Sequence, residues 1–231
     1  MLKILTLIVF SLIVSATVTD AQKKSTEPTI EQSVPKILKK TNQRPVTNSA
    51  KSAPSDPFDK ATVDVMKSQC VKLETEAGIV ELEMFPESAP ESVRGFLNLA
   101  ATGALDTTTF NRVVPGFIVQ GGDLFTRQKM TTELDARARR PLRDEPSLIK
   151  HERGIISMAR ANTPNSATTN FFILVGAAPH LDGTFAAFGR VTRGMEVVDA
   201  INKMPVEGEK PSKPVRINHA TAAPCTVQTK P

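Results

Sequence analysis

Short apolar runs separated by turns recur from about residue 70 to residue 221, and this pattern constrains the fold more than any other feature of the chain. The stretch CVKLETEAGIVELEMF alternates apolar and polar residues on both sides of a Glu-Ala-Gly turn, which predicts a β-hairpin. Further runs that fit strands lie at 110–114, 117–120, 155–159, 171–175, 185–191 and 215–221. Because turns rather than helices join most of these roughly eight strands, we predict a mainly β protein with a closed eight-stranded antiparallel β-barrel.

Two longer segments have helical periodicity. Residues 88–103 place apolar side chains on one helical face, at Val93, Phe96, Leu97 and Ala100. Residues 194–204 fit a second helix, which Pro205 ends. Residues 58–67 have a weaker pattern that fits a short helix. The pattern therefore predicts two main α-helices in addition to the strands.

The first 21 residues, MLKILTLIVFSLIVSATVTDA, have the pattern of a secretory signal peptide. One lysine precedes an apolar run from Ile4 to Val14, and small residues follow the run. This run is too short to span a bilayer core of about 30 Å comfortably. Cleavage after Ala21 and cleavage after Ala16 both fit, and an uncleaved N-terminal anchor is the alternative. In each case we expect the folded part to be exported, either periplasmic or secreted.

Residues 22–66 are predicted to be a disordered linker, because Lys, Ser, Thr, Pro, Asn and Gln dominate and no apolar period persists. The folded domain is predicted at 67–227. Much of the net charge of +5 lies in the linker, and the chain has no Trp or Tyr that could stack on bases. Nucleic acid is therefore not an expected partner, and we expect no stable membrane insertion once the signal peptide is cleaved.

The residues offer little material for metal-dependent or nucleophilic catalysis. The histidines at 151, 180 and 219 have no metal-ligand spacing with one another or with cysteine. Ser157 lies outside any nucleophile-elbow pattern, and the Gly-Gly pair at 121–122 lacks the lysine of a phosphate-binding loop. We therefore expect no metal and no cofactor.

The stretch FNRVVPGFIVQGGD at 110–123 contains an arginine, Arg112, in an apolar run that needs no charge. This stretch and two later ones, GIISMARANTPNSATTNFFI and HLDGTFAAFGRVTRGMEVVDAI, resemble the three signature blocks of the cyclophilin-type peptidyl-prolyl cis–trans isomerases. The resemblance runs from about residue 71 to about residue 221. It implies an eight-stranded antiparallel barrel closed at its ends by two helices, and isomerisation of X–Pro bonds as the reaction.

The resemblance implies that Arg112 and Gln120 are the catalytic residues. Rotation about an X–Pro bond faces a barrier of about 18–20 kcal/mol, because the nitrogen lone pair is in resonance with the carbonyl. Twisting the bond localises the lone pair on nitrogen, so a donor beside that nitrogen stabilises the twisted state more than either planar isomer. Arg112 is implied to be this donor, and Gln120 to hold the arginine and the substrate backbone. The alternative for Arg112 is an ordinary ion pair with a surface acid.

The resemblance also implies an apolar slot for the proline ring. The matched substrate-binding positions are Phe117, Ile118, Ala159, Asn162, Asn170, Phe172, His180, Leu181 and Phe185. His180 stands where cyclosporin-sensitive members have tryptophan, so tight cyclosporin binding is not expected. Phe185 replaces a common histidine, and Asn170 replaces a common glutamine. These two departures leave room for an alternative function, a proline-peptide binding module or holdase chaperone with low turnover.

The chain has two cysteines, Cys70 just before the first predicted strand and Cys225 just after the last. An even number of cysteines in an exported chain favours a disulfide. In the family's barrel the terminal strands are antiparallel neighbours, which implies that the two cysteines lie close together. Two unpaired thiols at frayed termini are the alternative. The resemblance as a whole predicts a monomeric isomerase that assists the folding of exported proteins and has proline-containing polypeptides as its partners.

Overall fold

The computed structural model of this protein describes residues 55–225, so the predicted signal peptide and most of the predicted linker lie outside the described residues. Within this range there are four α-helices, namely α1 (Val63–Lys67), α2 (Pro90–Ala101), α3 (Thr132–Ala138) and α4 (Met195–Asn202). The strands of the same range are β1 (Gln69–Thr75), β2 (Gly78–Met84), β3 (Thr109–Phe110), β4 (Arg112–Val114), β5 (Ile118–Gly121), β6 (Ile155–Met158), β7 (Phe171–Leu174), β8 (Ala187–Arg193), β9 (Val206–Glu207), β10 (Lys210–Pro211) and β11 (Val215–Pro224). None of these helices is both long enough and apolar enough to cross a membrane.

Nine of the strands form one antiparallel sheet in the order β3-β11-β1-β2-β8-β6-β7-β5-β4. Its two outermost strands, β3 and β4, are consecutive in the chain and are separated only by Asn111. The backbone N–H of Asn111 donates to the carbonyl of Gln120 on β5 at 3.1 Å, so the two ends of the sheet meet. The predicted antiparallel barrel is therefore confirmed, with nine strands instead of eight because Asn111 interrupts one predicted strand.

The barrel interior is filled by the apolar faces that the alternating patterns predicted. Val71 and Leu73 of β1 and Val80 and Leu82 of β2 are fully buried in one continuous core. Phenylalanine rings pack against one another in this core with centroids 5.1–6.3 Å apart, in the pairs Phe96–Phe171, Phe96–Phe188 and Phe110–Phe171. Such ring contacts stabilise a core beyond the area that they bury.

Both predicted main helices, α2 and α4, are present with ends close to the predicted ones. Helix α2 begins at Pro90, a position where the missing backbone N–H costs nothing. The carboxylate of Glu145 accepts hydrogen bonds from the backbone N–H groups of Glu91 and Ser92 at 2.9 and 2.8 Å, and it thereby satisfies two free donors of the first turn. Of the two shorter helices, α1 lies within the weak pattern at 58–67, and α3 was not predicted.

The residues before β1 correct the predicted end of the linker. Met66 of α1 has no solvent exposure and belongs to the main core. The guanidinium of Arg94 donates to the carbonyls of Phe58 and Ala61 at 2.7 and 2.8 Å, and Asn98 accepts from the backbone N–H of Phe58 at 2.8 Å. The predicted linker end at residue 66 is therefore wrong, because ordered structure is already present at 55–66. We call residues 55–67 the N-terminal segment.

The first and last strands of the domain are joined covalently. Strand β1 pairs antiparallel with β11, in a register that places Gln69 opposite Pro224. Cys70 and Cys225 form a disulfide with a Cα–Cα distance of 4.8 Å, and the backbone N–H of Cys225 donates to the carbonyl of Ser68 at 2.9 Å. The pairing of the cysteines expected from the resemblance is thus present, and the alternative of two unpaired thiols is not.

Candidate active site

Three of the predicted site residues lie directly opposite one another on adjacent strands. Arg112 of β4 is opposite Gln120 of β5, and Gln120 is in turn opposite Phe172 of β7. Directly opposed side chains of a sheet share one face, so the three residues form a row across three strands. Within this row, Nη1 of Arg112 donates a hydrogen bond to Oε1 of Gln120 at 3.0 Å.

Alternation along β7 separates this row from the barrel interior. Phe171 and Ile173 pack in the main core, whereas Phe172 and Leu174 belong to a second, smaller apolar cluster. We call this second group the outer cluster. Its buried members are Ile118, Ile155, Phe172, Leu174, Ala178, Leu181 and Ala187, and the half-buried side chains packed against them include Phe117, Ala159 and Phe185. Most of the predicted proline-binding residues therefore meet in one apolar surface beside the row.

Arg112 is held by two acceptors. Besides the contact with Gln120, its Nε donates to a carboxylate oxygen of Glu209 at 2.6 Å. This hydrogen bond and the attraction of the guanidinium charge hold the pKa of Glu209 below its usual range. No motif in the sequence pointed to Glu209. The alternative interpretation of Arg112 as part of a surface ion pair therefore applies to its contact with Glu209. The hydrogen bond to Gln120 is a second, separate contact.

The turn between β4 and β5 carries Phe117 and is fixed by a buried amide from α4. Nδ2 of Asn202 donates to the carbonyls of Val114 and Ile118, both at 2.9 Å. Oδ1 of Asn202 accepts from the backbone N–H of Gly116 at 2.8 Å. Gly116 has a φ of 74°, which the turn requires and which glycine adopts without strain. Asn202 was not predicted from the sequence, because a single polar residue near the end of a helix carries no specific signal.

Aromatic contacts extend the outer cluster to the surface. The ring of exposed His180 lies 5.7 Å from that of Phe117, measured between centroids. The rings of Phe172 and Phe185 lie 6.1 Å apart in an edge-on arrangement. The guanidinium carbon of Arg160 lies 4.7 Å from the centre of the Phe185 ring, which is a cation–π distance. Arg160 thus covers the ring of one of the predicted binding residues.

The two asparagines predicted to bind substrate are placed differently. The carbonyl of Asn170 accepts a hydrogen bond from the backbone N–H of Ala159 at 2.9 Å, so Asn170 lies beside the outer cluster. Asn162 is exposed in the loop at 159–169. Within residues 55–225, no hydrogen bond connects the Asn162 side chain to the other predicted site residues. The structure therefore brings together all of the predicted binding residues except Asn162.

A serine, a histidine and an aspartate form a hydrogen-bonded chain next to Phe172. Nε2 of His151 lies 3.2 Å from Oγ of Ser157, and Nδ1 lies 3.2 Å from Oδ1 of Asp182. The Ser157 hydroxyl also lies 2.8 Å from the carbonyl of Ala186. Ser157 and His151 are almost completely buried, so no substrate reaches this hydroxyl. The arrangement resembles a catalytic triad in its residue types only, and it serves to hold the segment that carries Leu181.

The structure contains a cavity elsewhere, and it is not lined by the predicted site residues. Its volume is about 100 Å³, and it lies between the N-terminal segment, α2 and α3, with a lining that includes Asp56, Asp59, Arg94, Arg137 and Thr169. Within residues 55–225, no three His, Cys, Asp or Glu side chains are grouped so that they could hold a metal ion. The row of Arg112, Gln120 and Phe172 beside the outer cluster is therefore identified as the candidate active site by the chemistry of its side chains and not by a cavity.

Comparison with known proteins identifies the family. Residues 70–222 match the family model described as cyclophilin type peptidyl-prolyl cis-trans isomerase/CLD. A peptidyl-prolyl cis-trans isomerase of Arabidopsis thaliana is 37% identical over 153 residues, which cover 65% of this chain and 94% of the relative. Peptidyl-prolyl cis-trans isomerase A of Dickeya dadantii (strain 3937) is 38% identical over 163 residues, which cover 65% of this chain and 82% of the relative.

A solved structure agrees with this match. The crystal structure of a cyclophilin type peptidyl-prolyl cis-trans isomerase of Cryptosporidium parvum, determined in the presence of the dipeptide Ala-Pro, superposes with a TM-score of 0.58 and 30% sequence identity. The superposition covers 66% of this chain and 97% of that chain. The fold and the family match together define a cyclophilin-like barrel. The chain belongs to the family of cyclophilin-type peptidyl-prolyl cis-trans isomerases, and the enzyme class expected from the sequence is confirmed.

Proposed function

We propose that this protein accelerates cis–trans isomerisation of X–Pro bonds in exported polypeptides while they fold. Uncatalysed isomerisation takes about 10–100 s at 25 °C, which is slow enough to limit folding. The observation that carries the proposal is the row of Arg112, Gln120 and Phe172, which supports a fixed cationic donor next to an apolar slot. The crystal structure of the Cryptosporidium relative in the presence of Ala-Pro supports a proline-containing ligand.

In this proposal the outer cluster holds the proline ring and Arg112 acts on its nitrogen. Phe172 and Leu181 are buried and offer apolar contact without a competing charge. A guanidinium has five N–H groups, and the contacts with Gln120 and Glu209 use two of them, which leaves three for a substrate. As the X–Pro bond twists, the nitrogen lone pair localises and the hydrogen bond from Arg112 strengthens. No covalent bond forms or breaks, so the rate gain is differential stabilisation of the twisted state.

Gln120 has two functions in the proposed mechanism. Its Oε1 accepts from Arg112 at 3.0 Å, which fixes the plane of the guanidinium. Its amide nitrogen then points away from this contact and can donate to a carbonyl of the substrate backbone. A substrate held at the proline ring and at the backbone places its X–Pro nitrogen at one position, and such orientation lowers the barrier.

The export part of the proposal rests on two observations. The first 21 residues have the charged start, short apolar run and small residues of a signal peptide. The disulfide between Cys70 and Cys225 supports an oxidising compartment, because disulfides are rare where thiols are kept reduced. We propose that the mature protein is periplasmic or secreted and acts as a monomer. Mass spectrometry of the protein from the cell exterior should find an N-terminus after Ala16 or Ala21, whereas an uncleaved and reduced protein inside the cell would refute export.

The second candidate function is a proline-peptide binding module or holdase with low turnover. It is favoured by Phe185 and Asn170, which differ from the common residues of the family at these positions. It is also favoured by the position of Arg160 over the Phe185 ring. A protease-coupled assay with a proline tetrapeptide separates the two functions, because it measures the rate of isomerisation itself. An accelerated rate supports the isomerase. Binding of the tetrapeptide with no change in its isomerisation rate would support the binding module.

A further inference from the structure

The hairpin of β9 and β10 reaches the candidate site through its tip, residues 207–209. Gly208 has a φ of 64°, which allows the tight turn. The backbone carbonyl of Glu209 accepts a hydrogen bond from the backbone N–H of Val113 at 2.8 Å. Val113 directly follows Arg112 on β4. The tip of the hairpin is thus attached by its backbone to the strand that carries the arginine, and the Glu209 side chain is placed beside it.

The guanidinium of Arg112 is fixed at two different nitrogens. Nη1 donates to Oε1 of Gln120 at 3.0 Å, and Nε donates to Oε2 of Glu209 at 2.6 Å. One contact would leave the planar group free to rotate about that contact, whereas two contacts on separate nitrogens fix both its position and its plane. The second contact comes from a residue 97 positions away in the chain. It involves a carboxylate whose pKa is lowered by the hydrogen bond from Arg112 and by the charge of the guanidinium.

The geometry points to Glu209 as a positioning residue for the isomerase reaction, which holds Arg112 in the orientation that the twisted X–Pro bond requires. This inference rests on the proposed function of Arg112 as the donor to the proline nitrogen. Glu209 acts through Arg112, and no contact between Glu209 and the substrate is needed. To hold Arg112, residue 209 needs an acceptor oxygen and does not need a full negative charge. Gln120 already holds the other nitrogen of the guanidinium with a neutral amide oxygen.

A carboxylate beside a catalytic cation can also slow the reaction. If Glu209 competed with the substrate for the guanidinium, its removal would raise the rate. The contact geometry argues for positioning, because Glu209 uses Nε and leaves N–H groups on both Nη atoms for the substrate. The pair is partly exposed, with 40% of the Arg112 side chain and 54% of the Glu209 side chain accessible, so it adds little to overall stability. Its effect is therefore expected in kcat and not in folding.

The test uses three variants of the full chain and a proline tetrapeptide, with kcat and KM taken from NMR exchange measurements. Glu209→Ala is expected to lower kcat about three- to tenfold with KM within about twofold of wild type, since ground-state binding belongs to the outer cluster. Glu209→Gln is expected to keep most of the wild-type kcat, because its amide oxygen still accepts from Nε. Glu207→Ala, at an exposed neighbouring position on the same hairpin, is the matched control and should keep wild-type kcat and KM.

A second readout follows the contact itself, through the NMR signal of the Arg112 Nε–H. The signal should be shifted downfield and protected from exchange in wild type and Glu207→Ala, and should lose both properties in Glu209→Ala. An unchanged Nε–H signal in Glu209→Ala, a kcat in that variant equal to or above wild type, or an equal loss in Glu209→Gln would each overturn the inference. Each variant should keep the wild-type midpoint of thermal unfolding, because the substitutions leave the backbone carbonyl that anchors the hairpin in place. A wild-type protein with no isomerase activity would refute the proposed function instead.

Discussion

Asp182 accepts two hydrogen bonds from His151, one from the backbone N–H at 2.8 Å and one from Nδ1 at 3.2 Å. Burial lowers the pKa of His151, although the Asp182 carboxylate acts in the opposite direction. The backbone hydrogen bond from His151 lowers the pKa of Asp182, and Lys150 adds to this effect. At neutral pH the pair therefore consists of a neutral imidazole and a carboxylate. It connects the segment before β6 with the segment that carries Leu181.

Stability should fall when the pH falls below the ordinary histidine pKa of about 6.5. The pKa of His151 is lower in the folded protein than in the unfolded chain, so between these two values the unfolded chain binds more protons and acid favours unfolding. Urea unfolding from about pH 7.5 to pH 5 measures the slope. His151→Asn should be less stable at the higher pH but should show a flatter dependence.

The exposed His180 supplies a comparison for this experiment. Its charge is the smallest of the causes that lower the pKa of His151, so His180→Asn should flatten the slope less than His151→Asn does. A second loss of stability is expected at lower pH, as the depressed pKa of Asp182 is approached from above. If His151→Asn showed the same slope as wild type between about pH 7 and 5, the pair of His151 and Asp182 would not be the source of the acid sensitivity.

Removing the N-terminal segment should destabilise the domain although it precedes the matched family region. Met66 is fully buried, so Met66→Ala is expected to cost about 2–5 kcal/mol of unfolding free energy. Val65 lies next to it with about half of its surface exposed, and Val65→Ala should change stability by no more than about 0.5 kcal/mol. A chain that begins at Ser68 should lose at least as much as Met66→Ala in urea unfolding, and equal stability of the two chain lengths would contradict the packing of this segment.

The sequence predicted the barrel well because two-residue alternation is a local signal. The faces containing Val71 and Val80 follow directly from that alternation, and they are buried as expected. The interruption at Asn111 has no comparable signal, since it arises where the sheet closes on itself. Residues 55–66 were assigned to the linker because no apolar period persists there, and the polar contacts from Arg94 and Asn98 that help to hold these residues leave no periodic pattern.

The candidate site was predictable where it depends on one continuous stretch. Arg112 and Gln120 are eight residues apart on two strands of a hairpin, and the resemblance to known signature blocks identified both. Glu209 and Asn202 could not be found in this way, because their contacts join parts of the chain that are more than 80 residues apart. Their importance appears only when the tertiary structure brings the hairpin tip and the end of α4 to the strands of the site.

Reduction of the disulfide should destabilise the domain without unfolding it. Cys70 and Cys225 are separated by 155 residues, and a loop of this length corresponds to about 5 kcal/mol in the chain-entropy description. The observed loss should be smaller, because measured disulfide effects often fall below the chain-entropy value. The hydrogen-bonded pairing of β1 and β11 should keep the reduced domain folded. Urea unfolding with and without reductant should differ for wild type and agree for a Cys70→Ser, Cys225→Ser double variant. A wild-type midpoint that does not respond to reductant would argue against the bond.

Cyclosporin should inhibit this protein weakly in comparison with relatives that have tryptophan at the position of His180. The imidazole of His180 is exposed and lies 5.7 Å from the Phe117 ring, so it offers the drug less apolar area than an indole and a donor at a different place. His180→Trp should tighten cyclosporin binding by about tenfold or more, measured as inhibition of tetrapeptide isomerisation. Inhibition of the wild-type protein by low nanomolar cyclosporin would contradict this account.

Arg112 is proposed to stabilise the twisted X–Pro bond, and the most direct test of this role is kcat/KM of Arg112→Ala and Arg112→Lys in the protease-coupled tetrapeptide assay. Loss of a charged hydrogen bond made mainly in the twisted state should raise the barrier by about 2–4 kcal/mol in Arg112→Ala, a loss of roughly 30- to 1,000-fold. Arg112→Lys should recover little, because an ammonium cannot hold Gln120 and the substrate with a planar fork. Both variants should unfold within about 1 kcal/mol of wild type, since this arginine is partly exposed. A folded Arg112→Ala protein that keeps the wild-type kcat/KM would show that the mechanism is wrong.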